Sequence, residues 1–337
     1  MILSVSTPSG GYDIRLQRGS LTEAGKTFSA HRKALIVTDD GVPVRYAEAV
    51  AAGCGQASVF TLPQGEATKS ISWYQTLLRA MAAADFTRGD CVIAVGGGVV
   101  GDLAGFAAAT YMRGVDFYNI PTTLLAMVDS SIGGKVAVDL DGIKNLVGAF
   151  YPPRGVWVDP DVLGTLDLRQ FRAGFVEAVK MALTCDAGLF AELEEKGLSM
   201  PAELLIEGAL RIKKKVVEQD LTEQGLRRVL NFGHTVGHAV ESQQQGRLLH
   251  GECVALGMFF FCSPEVRVRL QRLWNQIGLS SQLPATPQQL EPYLRHDKKR
   301  AGEQIITVYV DKPGNYEFRR QSVEEILADL AQGGDCR

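Results

Sequence analysis

The sequence predicts an α/β protein with a Rossmann-like, doubly wound N-terminal domain and a mainly α-helical C-terminal domain. Its 337 residues suffice for two domains of ordinary size. In the first half, short β-branched runs alternate with helical patterns, which is typical of a parallel sheet covered by helices. In the second half the apolar period is near 3.6 and strand-like runs are few. We therefore expect domains at 1–160 and 161–337.

Four apolar runs in the first half have the length and composition of strands, and a helical pattern covers about 70–84. The four candidate strands are Ala34–Thr38, Ala57–Thr61, Cys91–Val95 and Asp116–Ile120. Pro121 ends the last of them, because proline cannot donate to a sheet. Strands that alternate with a helix in this way predict a parallel arrangement.

Turn-forming residues between Tyr151 and Pro160 mark the expected domain boundary. Beyond it, helical periodicity predicts four helices and a strand pair around Pro313-Gly314. The helices are expected at 171–195, 202–219, 234–244 and 250–278, and the strands at 305–310 and 316–319. The second domain is thus predicted to be mostly helical.

Composition excludes several classes of protein. Apolar residues make up 46% and charged residues 22%, as in a globular protein, and the net charge of −3 gives no broad basic field for nucleic acid. Met1–Arg18 lacks the pattern of a signal peptide, and the apolar run 254–262 is too short to span a bilayer. The six cysteines lack CxxC spacing. We expect a cytoplasmic protein with no membrane or nucleic-acid partner, in which most of the cysteines are buried.

A glycine-rich turn, Gly96-Gly97-Gly98, follows a buried-looking strand and precedes an alanine-rich helical pattern at 103–110. Here glycines let the backbone approach a pyrophosphate, and the helix N-terminus attracts its charge. The turn departs from the GxGxxG fingerprint, so a packing turn is the alternative. The segment Gly65–Lys69 is either a second cofactor loop or a solvated turn.

Between 113 and 145, small, hydroxyl and cationic side chains are unusually dense. They are Arg113, Thr122, Thr123, Asp129, Ser130, Ser131, Gly133, Gly134, Lys135, Asp139, Lys144 and Asn145. This composition favours oxyanion recognition, with a polar loop between two domains as the alternative. The segment 130–135 lacks Walker A spacing, which disfavours ATP hydrolysis.

Three of the five histidines, His234, His238 and His250, fall in one short segment. The i, i+4 spacing of the first two places both imidazoles on one helix face, which indicates a metal or acid–base centre. Solvated or core-satisfied histidines are the alternative. Glu252 is a further ligand-type residue, and the i, i+3 spacing of Glu177 and Lys180 places them together on an earlier helix.

Taken together, these motifs resemble the 3-dehydroquinate synthases of the sugar phosphate cyclase family, in order over nearly the whole chain. The matching segments are Gly96–Phe106, Met112–Val115, Ile120–Ala137, Lys144–Phe150, Asn231–His238 and Leu249–Glu252. The resemblance implies a Rossmann-like domain, a helical metal-binding domain and a homodimer. It also implies that Glu177, His234 and His250 bind Zn²⁺, or alternatively Co²⁺, and that His238 is catalytic.

The resemblance further implies an NAD⁺ site and a sugar phosphate substrate. The implied cofactor contacts are Gln64, Gly65, Glu66, Ala67, Thr68, Lys69, Gly98, Val99, Val100, Gly101, Asp102, Thr122, Thr123, Asp129, Lys135, Lys144, Val162, Leu163, Gly164 and Thr165. The implied catalytic and substrate contacts are His238, Lys135, Lys180, Lys213, Arg227, Asn231, Asn145, Arg113, His250 and Lys298. The family pattern favours Lys213 among three consecutive lysines and Lys298 over Lys299.

The implied reaction converts 3-deoxy-D-arabino-heptulosonate 7-phosphate to 3-dehydroquinate and phosphate in the shikimate pathway. It proceeds by transient oxidation by NAD⁺, phosphate elimination, re-reduction and intramolecular aldol closure. The alternatives are another sugar phosphate cyclase, a metal-dependent polyol or glycerol-phosphate dehydrogenase, and a dinucleotide-binding regulatory protein. Stoichiometric NADH accumulation would distinguish the dehydrogenase from a cyclase.

Overall fold

A computed structural model describes residues 1–8, 10–301 and 304–333, with the side chains of 296–301 and 333 outside that description. The chain divides into two compact units. Unit 1 comprises Met1–Asp167 and Lys213–Thr222, and unit 2 comprises 168–212 and the described residues from 223 onward. Among the described residues, no helix is both long and apolar enough to cross a membrane.

Unit 1 is built on a seven-stranded sheet. Its strands are β1 (Ile2–Thr7), β2 (Gly10–Leu16), β3 (Lys33–Asp39), β4 (Gln56–Leu62), β5 (Cys91–Gly96), β6 (Asp116–Pro121) and β9 (Gly155–Val158). Their order in the sheet is β1-β2-β9-β6-β5-β3-β4, and every neighbouring pair is parallel except β1 with β2. The four predicted strands are confirmed as β3 to β6.

Four helices accompany this sheet: α1 (Leu21–Ser29), α2 (Val44–Gly53), α3 (Ile71–Ala83) and α4 (Gly98–Thr110). Strand β5 is buried at all six positions, as expected for a central strand of a parallel sheet. Leu77 of α3 and Leu103 of α4 join the core formed with the sheet. The helical pattern predicted at 70–84 is confirmed as α3.

A separate antiparallel hairpin, β7 (Lys135–Leu140) with β8 (Ile143–Phe150), lies within unit 1. It packs against α4 at Gly105, where an added Cβ would lie only 2.4 Å from Val136 Cγ1. Glycine is therefore required for this close approach. The polar stretch 113–145 ends in this hairpin, so its alternative interpretation as a loop between two domains is wrong for 135–145.

Strand β9 lies inside the segment that the sequence indicated as a domain boundary. All four of its residues are buried, and they join β2 to β6 in the sheet. Pro152, Pro153 and Pro160 flank this short strand, so turn-forming residues obscured a run of only four residues. Unit 1 accordingly continues past this segment to Asp167.

Unit 2 is mainly helical and also holds one antiparallel strand pair. Its elements are α5 (Leu168–Cys185), α6 (Ala187–Lys196), α7 (Ala202–Gln219, whose last residues belong to unit 1), α8 (His234–Gln244), α9 (His250–Met258), α10 (Pro264–Ile277), α11 (Pro287–Ala301), β10 (Ile305–Lys312), β11 (Asn315–Gln321) and α12 (Val323–Gly333). The parallel sheet and the helical second unit confirm the predicted fold class.

The helices predicted at 171–195 and 250–278 are wrong in that each is divided into two. In both cases a side-chain cap begins a new helix inside the apolar pattern. Asp186 accepts from Leu189 N at 3.0 Å and separates α5 from α6. Ser263 accepts from Val266 N at 3.3 Å, and Pro264 is the first residue of α10, so 250–278 contains two helices. The helices predicted at 202–219 and 234–244 and the strand pair are confirmed.

Candidate active site

The glycine turn of unit 1 connects β5 directly to α4. Gly97 precedes the first residue of α4, and an added Cβ there would lie 3.2 Å from Thr123. A Cβ on Gly101 would lie 3.1 Å from Asn119 Nδ2. The glycines therefore add no side chain of their own at the N-terminal backbone of a 13-residue helix, where neighbouring polar side chains already lie close, and such a helix start suits a phosphate group.

Lys69 links the loop at 64–69 to α4 and to the β7–β8 hairpin. Its side chain is 6% exposed, and Nζ lies 2.5 Å from Asp102 Oδ2. Nζ also donates to Asn145 Oδ1, and Lys69 O accepts from Asp139 N at 2.8 Å. Three segments that are distant in sequence thus meet around one buried ammonium.

Asn145 is the hairpin residue held by this network. It adopts a left-handed φ of 53°, which is uncommon for a residue other than glycine. Its backbone N donates to Asp139 Oδ1 at 2.7 Å.

Burial would lower the pKa of Lys69, but the negative charges of Asp102 and Glu66 outweigh it and raise that pKa. Lys69 is therefore a cation in the folded chain.

The other residues implied for the cofactor also lie in unit 1. Thr122 is buried, and its N donates to Gly96 O at 2.9 Å. Lys144 Nζ lies 3.6 Å from Glu66 Oε1, and Gln64 N donates to an Asp40 carboxylate oxygen at 2.7 Å. The segment 162–165 forms part of a 3₁₀ helix, and Thr165 Oγ1 lies 2.9 Å from the Tyr46 hydroxyl, a partner that the sequence did not indicate.

Lys213 and Asp129 form an ion pair inside unit 1. The Lys213 side chain is 5% exposed, and Nζ contacts Asp129 Oδ1 and donates to Asp129 O at 2.5 Å. Asp129 lies in a short π-helical turn, Ala126–Ser130. A residue implied for the cofactor and one implied for the substrate are therefore direct neighbours.

Lys135 and Arg113, the remaining basic residues of the predicted site in unit 1, are exposed. Arg113 has a φ of 69° and follows Met112 at 50°, so two consecutive side-chain-bearing residues occupy the left-handed region. Such strain is frequent at functional sites, because surrounding structure must hold it in place.

Unit 2 contains a buried carboxylate next to a buried lysine. Glu177 and Lys180 lie three residues apart on α5, with side chains 0% and 1% exposed, and their charged groups are in direct contact. Glu177 Oε1 also lies 3.5 Å from His250 Nε2, and apart from the Lys180 ammonium and this imidazole no polar group of the described residues contacts the carboxylate. A fully buried carboxylate whose oxygens lack well-formed hydrogen bonds and face an imidazole fits a bound cation.

Three imidazoles gather beside that carboxylate. The ring centroids of His234 and His238 are 5.1 Å apart, and those of His234 and His250 are 5.2 Å apart. One nitrogen from each ring lies within 4.8 Å of the others. His234 Nδ1 lies 3.2 Å from Phe232 O, and His250 Nδ1 lies 3.2 Å from Glu241 Oε2, contacts typical of metal-binding histidines.

The pKa values of this cluster respond to burial and to close charges. Burial opposes ionisation of Glu177, but Lys180 and His250 lower its pKa to about 2. Burial, Lys180 and the two other imidazoles hold the pKa of His234 well below its usual value. His234 is therefore neutral at pH 7, as a ligand must be. Burial would also lower the pKa of His250, but Glu177 and Glu241 raise it to about 10.

Glu252, which the sequence indicated as a possible metal ligand because it is close to His250, lies outside the histidine cluster. It accepts from Leu249 N at 2.8 Å and receives two hydrogen bonds from Arg169, each at 2.7 Å. Arg169 also donates to Arg247 O at 2.7 Å. Glu252 thus caps the start of α9, where His250 is the first residue.

The remaining predicted residues of unit 2 lie just before α8. Arg227 is buried in the 3₁₀ segment Leu226–Asn231, and Asn231 Nδ2 donates to Glu223 Oε1 at 2.5 Å. The side chain of Lys298 lies outside the described residues. Sequence reasoning missed Glu223 and Glu241. The position of Glu241 seven residues after His234, on the same helix face, was the available signal.

The fold of this chain occurs in solved sugar phosphate cyclases. The chain matches 2-deoxy-scyllo-inosose synthase, a structure complexed with carbaglucose-6-phosphate, NAD⁺ and Co²⁺, with a TM-score of 0.90 and 26% identity over 99% of this chain and 100% of the other. It also matches 2-epi-5-epi-valiolone synthase from Streptomyces hygroscopicus, a structure with NAD⁺ and Zn²⁺ bound, with a TM-score of 0.88 and 29% identity over 97% of each chain. A structure of a glycerol dehydrogenase from Sinorhizobium meliloti, with a TM-score of 0.66 and 15% identity, shares the fold alone.

Sequence comparison identifies the family. Residues 59–173 match the 3-dehydroquinate synthase N-terminal model, and 174–300 match the C-terminal one. The chain is 40% identical to a 3-dehydroquinate synthase of Enterococcus faecalis over 99% of both chains, and 41% identical to that of Latilactobacillus sakei over 97% of both. The chain belongs to the 3-dehydroquinate synthase family.

Proposed function

We propose that the chain converts 3-deoxy-D-arabino-heptulosonate 7-phosphate to 3-dehydroquinate and phosphate, with NAD⁺ and a divalent metal ion. Full-length identity of about 40% to 3-dehydroquinate synthases supports this reaction. The observation that carries it is the buried Glu177 carboxylate together with three clustered imidazoles, because carboxylate and imidazole donors suit the divalent metal ion that the reaction needs.

The proposed metal ligands are Glu177, His234 and His250. One carboxylate and two imidazoles form a donor set that suits catalytic zinc, with a position left open for substrate oxygens, and Co²⁺ accepts similar ligands. The metal would polarise substrate hydroxyls, and NAD⁺ would accept and later return a hydride. His238 has an exposed side chain and remains for proton transfer at its ring nitrogen.

The chain's own residues would bind the substrate and position its reacting groups. Lys135, Arg227 and Asn231 would hold the phosphate, together with Arg113 of a second subunit. Lys213 would bind the carboxylate, and its pairing with Asp129 keeps the ammonium in place before substrate arrives. The further substrate contacts proposed are Asn145, Lys180 and Lys298.

The proposed NAD⁺ site combines the glycine turn with the loop at 64–69. Backbone N–H groups at 98–102 would face the pyrophosphate, and Lys69 would hold Asp102 and Asn145 at the edge of that site. The functional division we propose is an NAD-binding domain at 1–160 and a metal- and substrate-binding domain at 161–337. We further propose a cytoplasmic homodimer without nucleic-acid or membrane partners.

The test is an assay of the purified protein with Zn²⁺, substoichiometric NAD⁺ and the heptulosonate phosphate. We expect phosphate release and 3-dehydroquinate formation that exceed the amount of NAD⁺ many times over, without net NADH. Phosphate release only from glucose 6-phosphate or sedoheptulose 7-phosphate would place the activity with another cyclase. Accumulation of NADH in proportion to substrate would indicate a dehydrogenase and contradict the proposal.

A further inference from the structure

Helix α8 carries three polar side chains on one face. His234, His238 and Glu241 follow the spacing i, i+4 and i+7, which places them along a single stripe of the helix. The two imidazoles belong to the proposed metal and proton-transfer sites. Glu241 belongs to neither site, and its side chain is only 10% exposed.

Glu241 meets His250 from the side opposite to Glu177. Glu241 Oε2 lies 3.2 Å from His250 Nδ1, and Glu177 Oε1 lies 3.5 Å from His250 Nε2. An imidazole that binds a metal is neutral and carries one N–H, so His250 must lose one of its two ring protons on binding, and a partner that accepts from one nitrogen fixes which proton stays. With Nδ1–H donated to Glu241, the proton is lost from Nε2, the nitrogen that faces Glu177.

The backbone of His250 is fixed independently of Glu241. Glu252 accepts from Leu249 N at 2.8 Å, and Arg169 holds Glu252 with two hydrogen bonds, so the start of α9 is anchored by other groups. Loss of the Glu241 carboxylate would therefore leave the helix in place. What it would release is rotation of the His250 ring and the choice of its protonated nitrogen.

We propose that Glu241 is a positioning residue that orients His250 for metal binding. This inference rests on the proposed function, because it takes His250 as a ligand. Partners behind a metal-bound histidine typically contribute about 10- to 100-fold to metal affinity. The same loss is expected when Glu241 is truncated, and the free protein should retain its fold.

The experiment measures Zn²⁺ affinity of the metal-free full-length protein by competition with a chromophoric chelator. We expect Glu241→Ala to bind Zn²⁺ about 10- to 100-fold more weakly than wild type. Glu241→Gln should fall between the two, because its amide oxygen can still accept from Nδ1. Ser242→Ala, an exposed neighbour on α8, is the matched control and should equal wild type.

A merely structural role for Glu241 would lower the melting temperature of the metal-free protein and leave its Zn²⁺ affinity unchanged. That result, or Zn²⁺ binding by Glu241→Ala within about twofold of wild type, would overturn the proposal. His250→Ala separates this failure from that of the proposed function. If His250→Ala also binds Zn²⁺ with wild-type affinity, the proposed ligand set is wrong. If His250→Ala loses affinity while Glu241→Ala does not, only the proposed role of Glu241 is wrong.

Discussion

Lys69 and Asp102 form a buried ion pair of 2.5 Å between the loop at 64–69 and the first turn of α4. Both belong to the proposed NAD⁺ site, and the same ammonium contacts Asn145 on the β7–β8 hairpin. Removing one partner of such a pair leaves the other charge buried and unpaired. The pair is therefore expected to matter for stability as well as for cofactor binding.

Lys69→Met should lower the free energy of unfolding of the metal-free protein by about 3 kcal/mol, because Asp102 would remain without its partner. NAD⁺ affinity should fall as well. Urea unfolding and calorimetric NAD⁺ titration check the two effects. Lys26→Met, at an exposed position on α1, is the control. If the double variant with Asp102→Asn is destabilised by the full sum of the single changes, the pairing interpretation fails.

Local sequence patterns were sufficient to predict the glycine turn and the histidines. A strand, a glycine turn and a helix are contiguous in the chain, and His234 and His238 lie one turn apart on one helix. Glu177 is a different case. It lies far from the histidines in sequence, so only the family resemblance indicated it, and the packing of α5 against α9 brings it to His250.

The features that sequence reasoning missed depend on contacts between distant segments. The burial of Lys69 requires Asp102 and Asn145, which come from two other elements. Glu252 resembled a metal ligand because it adjoins His250, but its bonds with Arg169 depend on how α5 packs. Strand β9 was hidden by flanking prolines, and its neighbours in the sheet come from the beginning and middle of unit 1.

The division of roles between two histidines is testable through metal content. His234→Ala should lose the bound metal, because it removes a proposed ligand. His238→Ala should keep metal and NAD⁺ but lose about 10²- to 10⁴-fold in turnover, the usual contribution of a proton-transfer group. Metal analysis of both purified variants, with turnover assays, makes the comparison. Equal loss of metal from the two variants would show that the assignment is wrong.

Gly251 permits the close packing that brings His250 near Glu177. A Cβ at this position would lie 2.1 Å from Ala173 O on α5, a backbone atom that cannot rotate away. Gly251→Ala should therefore destabilise the protein by about 1–3 kcal/mol and weaken metal binding. Thermal unfolding and Zn²⁺ titration measure both. Gly89→Ala is the control, because its nearest contact would be an ordinary 3.7 Å, and equal melting of the two variants would contradict this packing argument.

Asp116 gives unit 1 a stability that depends on pH. Burial would raise its pKa, but hydrogen bonds from Arg32 at 2.6 Å and Arg154 at 2.8 Å outweigh it and lower the pKa below 3.8. A lowered pKa in the folded state stabilises the protein above the unfolded-state value, and this stability is lost as pH falls through the folded-state pKa. Asp116→Asn should therefore be less stable than wild type at pH 7.

The difference should shrink as the pH falls below about 4, because the carboxylate of the unfolded chain then binds a proton while that of the folded chain still resists protonation. Urea unfolding at pH 7, 5 and 3.5 checks the trend, provided that both proteins unfold reversibly. Asp13→Asn, an exposed carboxylate on β2, serves as the control. A destabilisation by Asp116→Asn that is the same at every pH would exclude charge as its cause.

Lys180 provides a test of whether Glu177 binds a cation. In the metal-free protein the Lys180 ammonium is the close positive charge that compensates the fully buried carboxylate, with His250 at 3.5 Å. Lys180→Met should therefore lower the free energy of unfolding of the metal-free protein by about 3 kcal/mol. Excess Zn²⁺ should recover much of this loss, because the ion would neutralise Glu177 and would no longer be repelled by an ammonium nearby.

The increase in melting temperature on adding Zn²⁺ should accordingly be larger for Lys180→Met than for wild type. Lys196→Met, which breaks an exposed pair with Glu192 on α6, should show the wild-type increase. The comparison uses melting temperature and not activity, because Lys180 is also a proposed substrate contact and its loss would lower activity whether or not metal is bound. An equal Zn²⁺-induced increase in all three proteins would mean that the ion binds away from Glu177, and the proposed ligand set would have to be abandoned.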